Sequence, residues 1–415
     1  MEKLYQDAYA LINRSIAANL PQAAVRKALE SRLFADNVYL VAIGKAAWTM
    51  AYAAHEVLGK AVKAGLVITK YGHAEKPIPG IEIVEAGHPL SDENTLLGTS
   101  KAIALAQKLG EGDELLFLIS GGGSALFEKP LEGISLADIV AVNNQLLASG
   151  ADIVEINMIR KRLSAVKAGR FAQICAPAKV FTVVLSDVLG DRLDSIASGP
   201  AAPDLSTTEE VLSVVRRYNL VLNDSIQRYL TRETPKYLDN VTSVITGSVR
   251  TLCGSAADIA EDLGYTPYIV CSAMNCEARD AGKLIASAAR QIGTGKHSFK
   301  PPCALIFGGE TVVHLKGKGK GGRNQELALS AAEGIADMPK TLVFSVGSDG
   351  TDGPTDAAGG IVDGDTARRL NEKGIKIPAV LDNNDAYRGL EAVGGLVKTG
   401  PTGTNVNDIA VILRR

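Results

Sequence analysis

Three aspartates follow an apolar run in the last quarter of the chain. The run TLVFSV at 341–346 leads into GSDGTDGPTDAAGG, which carries Asp349, Asp352 and Asp356 among glycines. Carboxylates at this density repel one another unless a cation or a hydrogen-bonded ligand compensates their charge. Ligands of open α/β sheets bind just beyond the carboxyl ends of strands, where these aspartates fall. The pattern therefore predicts a binding loop, with an acidic, solvated Asx-turn loop as the alternative.

A glycine turn follows another apolar run, ELLFLIS at 114–120. Its sequence is Ser120, Gly121, Gly122, Gly123 and Ser124. The N–H groups of so bare a chain can converge on an anion, with a hydroxyl at each end. The pattern is neither a Walker A loop nor a nucleophile elbow. We expect this turn to bind phosphate, and the alternative is a flexible tight turn.

Basic residues stand at the starts of two predicted helices. Lys45 follows the predicted strand VYLVAIG (38–44), where its ammonium could grip a phosphate or carboxylate; an ordinary surface lysine is the alternative. The segment KGKGKGGRN (316–324) formally matches G-x-G-x-x-G, but its charge suits a polyphosphate better than a dinucleotide. We expect phosphate contacts from Lys318, Lys320 and the guanidinium of Arg323. A solvated hairpin is the alternative for the lysines.

Carboxylates suited to Mg²⁺ follow the run KVFTVVLS (179–186). Asp187 and Asp191 lie there, and Mg²⁺ tends to bind few protein carboxylates while sharing substrate phosphates. Glu310, after ALIFGG, is the third candidate. Ion pairs with Arg192 or Lys45 are the alternative for the two aspartates.

A basic stretch lies in the segment NMIRKRLSAVKAGR (157–170). Arg160, Ser164 and Lys167 stand at i, i+4 and i+7, which predicts one helix face. The face either binds an acidic ligand or is solvated. His88, in the loop EAGHP, we interpret as structural or as a minor substrate contact rather than as a catalytic base.

Length and composition limit the class of protein. At 415 residues the chain predicts two domains. A net charge of −2 and a pI near 6.3 argue against nucleic acid or an anionic membrane as the main partner. The five cysteines form no CxxC pair, and no apolar run approaches the roughly 18 residues of a membrane span. We therefore expect a cytoplasmic protein without a membrane segment.

Strand-like and helical runs alternate along the whole chain. Continuous Val, Ile and Leu runs between glycines predict strands covered on both faces, and hence a parallel sheet. The polar stretch RETPKYLDN contains Pro235, which marks a predicted boundary between domains 1–235 and 236–415. The predicted fold is two α/β domains with the active site in the interdomain cleft.

Several long motifs closely resemble one known family, the glycerate 2-kinases. They are SGGGSALFE (120–128), VLSDVLGDRLDSIASGPA (184–201), FGGETVV (307–313), GKGKGGRNQELAL (317–329), GSDGTDGPTDAAGG (347–360) and TGPTGTNVNDI (399–409). In this two-domain family the carboxyl-terminal part is known as the MOFRL domain. The resemblance covers essentially the whole chain. It implies a Rossmann-like first domain and phosphorylation of D-glycerate by ATP and Mg²⁺, with 2-phosphoglycerate as product.

The resemblance and the residue types together assign roles to individual positions. Lys45, Arg323 and Asp349 match family positions proposed to act in the site, and Asp349 would orient or deprotonate the glycerate hydroxyl. The remaining assignments are Ser120, Gly121, Gly122, Gly123, Ser124, Lys318 and Lys320 for phosphate; Arg160, Asn324 and Asn405 for substrate; and Asp187, Asp191 and Glu310 for metal. A homodimer is left open.

Two other functions compete with the kinase. A hydroxypyruvate reductase using NAD(P)H would need a dinucleotide fingerprint after the first strand, and AIGKAAW lacks one. A non-catalytic sugar-phosphate sensor would keep the glycine turn but has no need of the aspartate clusters.

Overall fold

The computed structural model describes residues 1–296 and 298–415. The chain forms two compact units, one of Ala24–Thr246 and one of Met1–Ala23 with Gly247–Arg415. The strands are β1 (Val38–Ile43), β2 (Val62–Lys70), β3 (Ile81–Ala86), β4 (Glu114–Ile119), β5 (Lys179–Leu185), β6 (Val241–Gly247), β7 (Thr266–Met274), β8 (Cys303–Gly309), β9 (Thr341–Gly347), β10 (Gly359–Asp363), β11 (Leu396–Val397) and β12 (Asp408–Arg414).

The helices are distributed over both units. They are α1 (Glu2–Ala18), α2 (Pro21–Glu30), α3 (Ala47–Leu58), α4 (Glu93–Ala106), α5 (Gly123–Leu126), α6 (Leu136–Ala148), α7 (Ile153–Leu163), α8 (Arg170–Cys175), α9 (Thr208–Arg217), α10 (Asp224–Leu230), α11 (Val249–Asp262), α12 (Ala278–Gln291), α13 (Arg323–Gly334), α14 (Thr366–Glu372), α15 (Ile377–Asp382) and α16 (Ala386–Ala392). Short 3₁₀ turns occur at Gly59–Ala61 and Ile196–Ser198. Among the described residues, none of the helices has both the length and the hydropathy that crossing a bilayer requires.

The unit Ala24–Thr246 is built on a Rossmann-like sheet, as predicted. Its strand order is β3-β2-β1-β4-β5-β6, and the neighbours from β3 to β5 run parallel. Strand β4 is buried along its whole length because one apolar core covers each face, with Leu115 on one side and Leu116 on the other. The strand order reverses between β1 and β4, so the ligand-binding crevice of such sheets lies beyond Ile43 and Ile119.

The sheet of the other unit is mixed. Its order is β11-β10-β9-β12-β8-β7, and only β7 and β8 pair in parallel. Strand β12 runs antiparallel to both of its neighbours, β8 and β9. The parallel arrangement predicted for the first domain therefore does not extend to this sheet. Burial on both faces makes the strands continuously apolar whatever their direction, so the pattern carries no information about the direction.

The units differ from the predicted ranges 1–235 and 236–415 at two places. Helix α1 belongs to the later unit, where the Tyr5 hydroxyl donates to Asp363 at 2.8 Å and the Tyr265 hydroxyl donates to Asp7 at 2.7 Å. Residues 236–246 remain in the earlier unit because β6 lies beside β5.

Candidate active site

Lys45 and the glycine turn meet at the switch point of the parallel sheet. The N–H of Lys45 donates to the carbonyl of Gly121 at 2.9 Å, which joins the turn after β1 to the turn after β4. The Ser120 hydroxyl donates to the carbonyl of Ile43 at 3.2 Å and accepts from the N–H of Ala46 at 3.1 Å. Ser120 therefore fixes the two turns together instead of presenting its hydroxyl to a ligand.

The glycines of this turn are required by close neighbours. A Cβ on Gly121 would overlap the carboxylate of Asp187. Gly122 has a φ of +86°, and a Cβ there would lie 2.9 Å from Nε2 of His88 and 3.3 Å from Cγ of Lys45. Lys45, His88 and Asp187 thus surround a turn that has no side chains of its own.

Charges around the turn remain available to a ligand. Burial raises the pKa of the Asp187 carboxyl, against the effect of Lys45 and His88. Burial and the nearby Lys45 lower the pKa of His88, which favours its neutral form. Within the described chain, neither Lys45 nor Asp187 has an ion-pair partner within 4.0 Å. An ammonium and a carboxylate are therefore both free at this edge of the sheet.

The alternative of internal ion pairs holds for a different aspartate. Arg192 donates to Asp194 at 2.9 Å, and Lys161 pairs with the same carboxylate at 3.1 Å. Asp191 has a φ of +54°, and its buried Oδ1 has no hydrogen-bond partner among the described residues. Asp191 thus keeps an oxygen without a hydrogen-bond partner.

The cations of the predicted basic helix face are largely buried, and they bind the chain that follows the glycine turn. Helix α7 ends at Leu163, so Lys167 lies beyond it and not on the predicted face. The carbonyl of Ser124 accepts from Arg160 at 3.1 Å and from Lys167 at 2.9 Å. Lys167 also pairs with the buried Glu128 at 3.1 Å, and burial lowers the pKa of Lys167 to about 8. A solvated face is therefore wrong, because these cations hold the chain directly after the turn.

Arg323 lies in an ion-pair cluster of the other unit. It is the first residue of α13, and its Nε and Nη2 donate to the two oxygens of Asp408 at 2.6 and 3.0 Å. Its Nη1 donates to Glu310 at 2.9 Å. Asp408 and Glu310 stand beside one another because β12 begins where β8 ends, with Asp408 opposite Gly309. The carboxylate of Glu310 therefore forms an ion pair with the guanidinium of Arg323.

The three aspartates after β9 have three different environments. Asp349 accepts one hydrogen bond, from the N–H of Thr351 at 2.9 Å, in an Asx turn. Asp352 is 3% exposed and accepts from the N–H groups of Asn324 and Gln325, at 3.1 and 2.8 Å. Burial raises the pKa of Asp352 to about 7.

Asp356 is exposed and pairs with Lys398 at 2.8 Å, and hydrogen bonds from Lys398 and Tyr387 lower its pKa to about 2. The protein itself therefore compensates two of the three aspartates. Asp349 is left with a carboxylate that has no cation within ion-pair distance in the described chain.

The backbone N–H groups of the lysine-rich loop donate to acceptors within the protein. The N–H groups of residues 316–320 donate to the segment 383–385, for example Lys320 to Asp385 at 2.8 Å. A Cβ on Gly317 or Gly319 would overlap this segment, so both glycines serve packing. The Lys318 side chain is exposed, and the Lys320 ammonium lies 3.9 Å from the centre of the Tyr387 ring. Only the lysine side chains remain for an anion.

Two predicted substrate contacts differ in accessibility. Asn324 is 1% exposed, and its side-chain carbonyl accepts a hydrogen bond from the hydroxyl of Ser345 at 2.6 Å. It therefore stabilises the start of α13 within the core. Asn405 is exposed in the loop before β12.

Three residues complete these arrangements; sequence reasoning gave no role to Asp408 or Glu128 and interpreted His88 as structural or as a minor substrate contact. Asp408 holds Arg323, Glu128 neutralises Lys167, and His88 lies against the glycine turn. Each touches a residue far away in the chain, and the motifs SGGGSALFE, EAGHP and TGPTGTNVNDI contain Glu128, His88 and Asp408. The predicted interdomain position of the active site stays a prediction.

Comparisons with known proteins agree along the whole chain. A family model described as a domain of unknown function, DUF4147, matches residues 7–231, and the MOFRL family model matches residues 303–408. The chain is 52% identical over 410 residues to a D-glycerate 2-kinase of Thermotoga maritima, with 99% of this chain and 98% of that protein covered.

It is also 44% identical to a glycerate 2-kinase of Pyrococcus horikoshii, with 91% and 87% covered. A crystal structure described as glycerate kinase from Thermotoga maritima matches with a TM-score of 0.96 at 52% identity and covers 100% of both chains.

Proposed function

The chain belongs to the glycerate 2-kinase family, and from this membership we propose that it transfers the terminal phosphoryl group of ATP to D-glycerate, forming 2-phosphoglycerate and ADP. The observation that carries the proposal is the uncompensated ammonium of Lys45 beside the bare turn 121–123 at the switch point of a parallel sheet. Phosphoryl transfer needs donors that neutralise phosphate oxygens and a group that orients the attacking hydroxyl.

Phosphate binding is assigned to the turn and to Lys45. The turn would offer the N–H of Gly122 to an anion, since the N–H of Gly123 donates to the carbonyl of Ser120 at 3.3 Å, and Lys45 adds a full positive charge. Arg160 and Lys167 are positioning residues in this proposal, because both hold the carbonyl of Ser124. The exposed side chain of Lys318 is a second, more mobile phosphate contact.

A magnesium ion fits Asp187 and Asp191 better than Glu310. Mg²⁺ is usually held by one or two carboxylates together with substrate phosphates and water. Asp187 is without an ion-pair partner and Asp191 has a buried, unpartnered oxygen, whereas Glu310 pairs with Arg323. When bound, Mg²⁺ would neutralise phosphate charge. The carboxylates of Asp187 and Asp191 would hold it there.

Hydroxyl activation is assigned to Asp349. Its carboxylate is the one in the loop 349–356 that the protein does not itself neutralise or bury. Arg323 uses three of its five N–H donors on Asp408 and Glu310, so two remain for a phosphate or the glycerate carboxylate. Asn405 is the accessible amide proposed to contact glycerate.

The product of the reaction tests the proposal directly. Phosphorus NMR of a mixture of the protein with ATP, Mg²⁺ and D-glycerate should show 2-phosphoglycerate and ADP in equal amounts. Omission of D-glycerate should leave ATP intact, and mixing with NADH and hydroxypyruvate should leave the nicotinamide absorbance unchanged. ATP that remains unconsumed, or a product phosphorylated at carbon 3, would contradict the proposal.

We further propose a cytoplasmic enzyme, since its five cysteines are free. A homodimer stays a prediction that analytical ultracentrifugation can check.

A further inference from the structure

The unit Ala24–Thr246 contains a cavity that the proposed phosphate site does not use. Its volume is about 610 Å³, within the range of roughly 300–1,000 Å³ typical of small-molecule sites. It lies between the edge strand β6 and the segment 191–205. Its apolar lining consists of Leu193, Ala202, Pro203, Leu205, Leu238 and Val241.

The wall of the cavity is connected through one chain segment with the glycine turn. A smaller cavity shares Leu193, Ala202 and Ser243 with it and is also lined by Ile119, the last residue of β4. The segment that covers the cavity also touches the turn. A Cβ on Gly123 would lie 2.8 Å from Cβ of Ala197, and the hydroxyls of Ser124 and Ser198 are 3.0 Å apart. The segment 191–205 therefore contributes both to the wall of the cavity and to the contacts of the glycine turn.

The covering segment has features of a binding site. Asp191, Ala197 and Ser198 adopt positive φ angles of 54°, 51° and 60°, conformations that cost energy in residues other than glycine. Asp191 lines the cavity, and its buried Oδ1 lacks a hydrogen-bond partner within the described chain. An unpartnered buried carboxylate oxygen is costly, so a ligand that brings a donor or a cation would relieve it.

We propose that this cavity binds the base and ribose of ATP, with the phosphates directed to the turn 121–123. A nucleoside offers a flat apolar face for the leucine-lined wall and polar groups for the hydroxyl of Ser243. Glycerate is small and fully polar and matches neither the volume nor the lining. The inference rests on the proposed function and adds which part of the fold holds the nucleotide.

Filling the cavity tests this assignment. Ser243 lines the cavity from β6, whereas the adjacent Thr242 is exposed on the other side of that strand. Ser243→Phe should weaken ADP binding, measured by isothermal titration calorimetry, by at least tenfold. The matched control Thr242→Phe should change it by less than twofold. ADP affinity unchanged in Ser243→Phe would overturn the assignment, and so would an equal loss in both variants.

A second experiment does not depend on the folding of Ser243→Phe. Leu205 lines the cavity and is 78% exposed, so Leu205→Cys should be tolerated and should react with a maleimide. Because Cys276 is exposed as well, labelling at residue 205 is followed by peptide mass spectrometry. Saturating ADP should slow labelling at 205 by at least fivefold, and D-glycerate alone should not. An unchanged rate with ADP would overturn the assignment.

The kinase proposal and the cavity assignment can be refuted independently of each other. If ADP binds and protects residue 205 but D-glycerate is not phosphorylated, the cavity assignment stands and the kinase proposal falls. If D-glycerate is phosphorylated and Ser243→Phe keeps the ATP KM of the unsubstituted protein, the kinase stands and the cavity assignment falls.

Discussion

Replacing Asp349 by asparagine should remove catalysis and leave the fold intact. Its carboxylate accepts a single hydrogen bond, from the N–H of Thr351 at 2.9 Å. The carbonyl oxygen of asparagine can accept the same bond, so the free energy of unfolding should change by less than about 0.5 kcal/mol. Turnover should fall by about 10²-fold or more, because an amide cannot take the proton of the glycerate hydroxyl. That loss equals about 2.7 kcal/mol in activation free energy.

Neighbouring carboxylates provide matched controls for this substitution. Asp352→Asn keeps an acceptor for one of the two N–H groups at the start of α13, and the lost bond should cost about 1–2 kcal/mol of stability. Turnover of Asp352→Asn should fall only as far as the lower stability reduces the amount of folded protein. Asp356→Asn changes an exposed contact with Lys398 and should leave turnover and thermal stability nearly as they are.

Initial rates of ADP formation and thermal unfolding followed by circular dichroism separate these outcomes. KM for ATP and D-glycerate should change by less than about threefold in Asp349→Asn, since binding would be preserved. Normal turnover in Asp349→Asn with an inactive Asp356→Asn would show that the wrong carboxylate has been chosen. Normal turnover in all three variants would refute a catalytic role for the loop.

Three further predictions concern the charged groups. Arg323→Ala should lower turnover by roughly 10³-fold and also lower the melting temperature, because Asp408, 5% exposed, loses its partner; a loss below tenfold in rate would make Arg323 structural. Asp187→Asn should raise the Mg²⁺ concentration for half-maximal rate by at least about tenfold with little change in KM for D-glycerate, and an unchanged Mg²⁺ titration would remove Asp187 from the metal site. Because the pKa of Asp352 rises from 3.8 to about 7 on folding, its stabilising contribution is complete below pH 3.8 and is lost progressively as the pH rises to about 7. The melting temperature should therefore fall between about pH 4 and 7, and a fall of the same size in Asp352→Asn would contradict this origin.

Local structure was predictable because its causes are local. The run VYLVAIG became β1, and ELLFLIS became β4. Capping boxes of Ser135 with Asp138 and of Asp152 with Glu155 start α6 and α7. For α9 the box is Thr207 with Glu210. In each case residues within one turn of each other decide the outcome.

Partners distant in the chain could not be predicted. The sequence shows Arg323 as a phosphate-binding candidate, but Asp408 meets it only because β12 inserts between β8 and β9. Lys167 looks like a surface cation until Glu128, 39 residues earlier, is brought against it. Asp349 and Asp352 have the same local sequence pattern, and the packing of α13 alone makes one of them a helix cap. Charge compensation depends on tertiary contacts that residue spacing does not encode.

The order of strands in the mixed sheet has a consequence for synthesis on the ribosome. Strand β12 is the last of the sheet to leave the exit tunnel, yet it occupies a central position between β8 and β9. Until then those two strands expose unpaired inner edges. The strands of the unit Ala24–Thr246 are all synthesised earlier, so it can fold while the chain grows. The nascent protein therefore depends on its final strand for half of its structure, and a ribosome that stalls before residue 408 would release a chain with an open, aggregation-prone sheet.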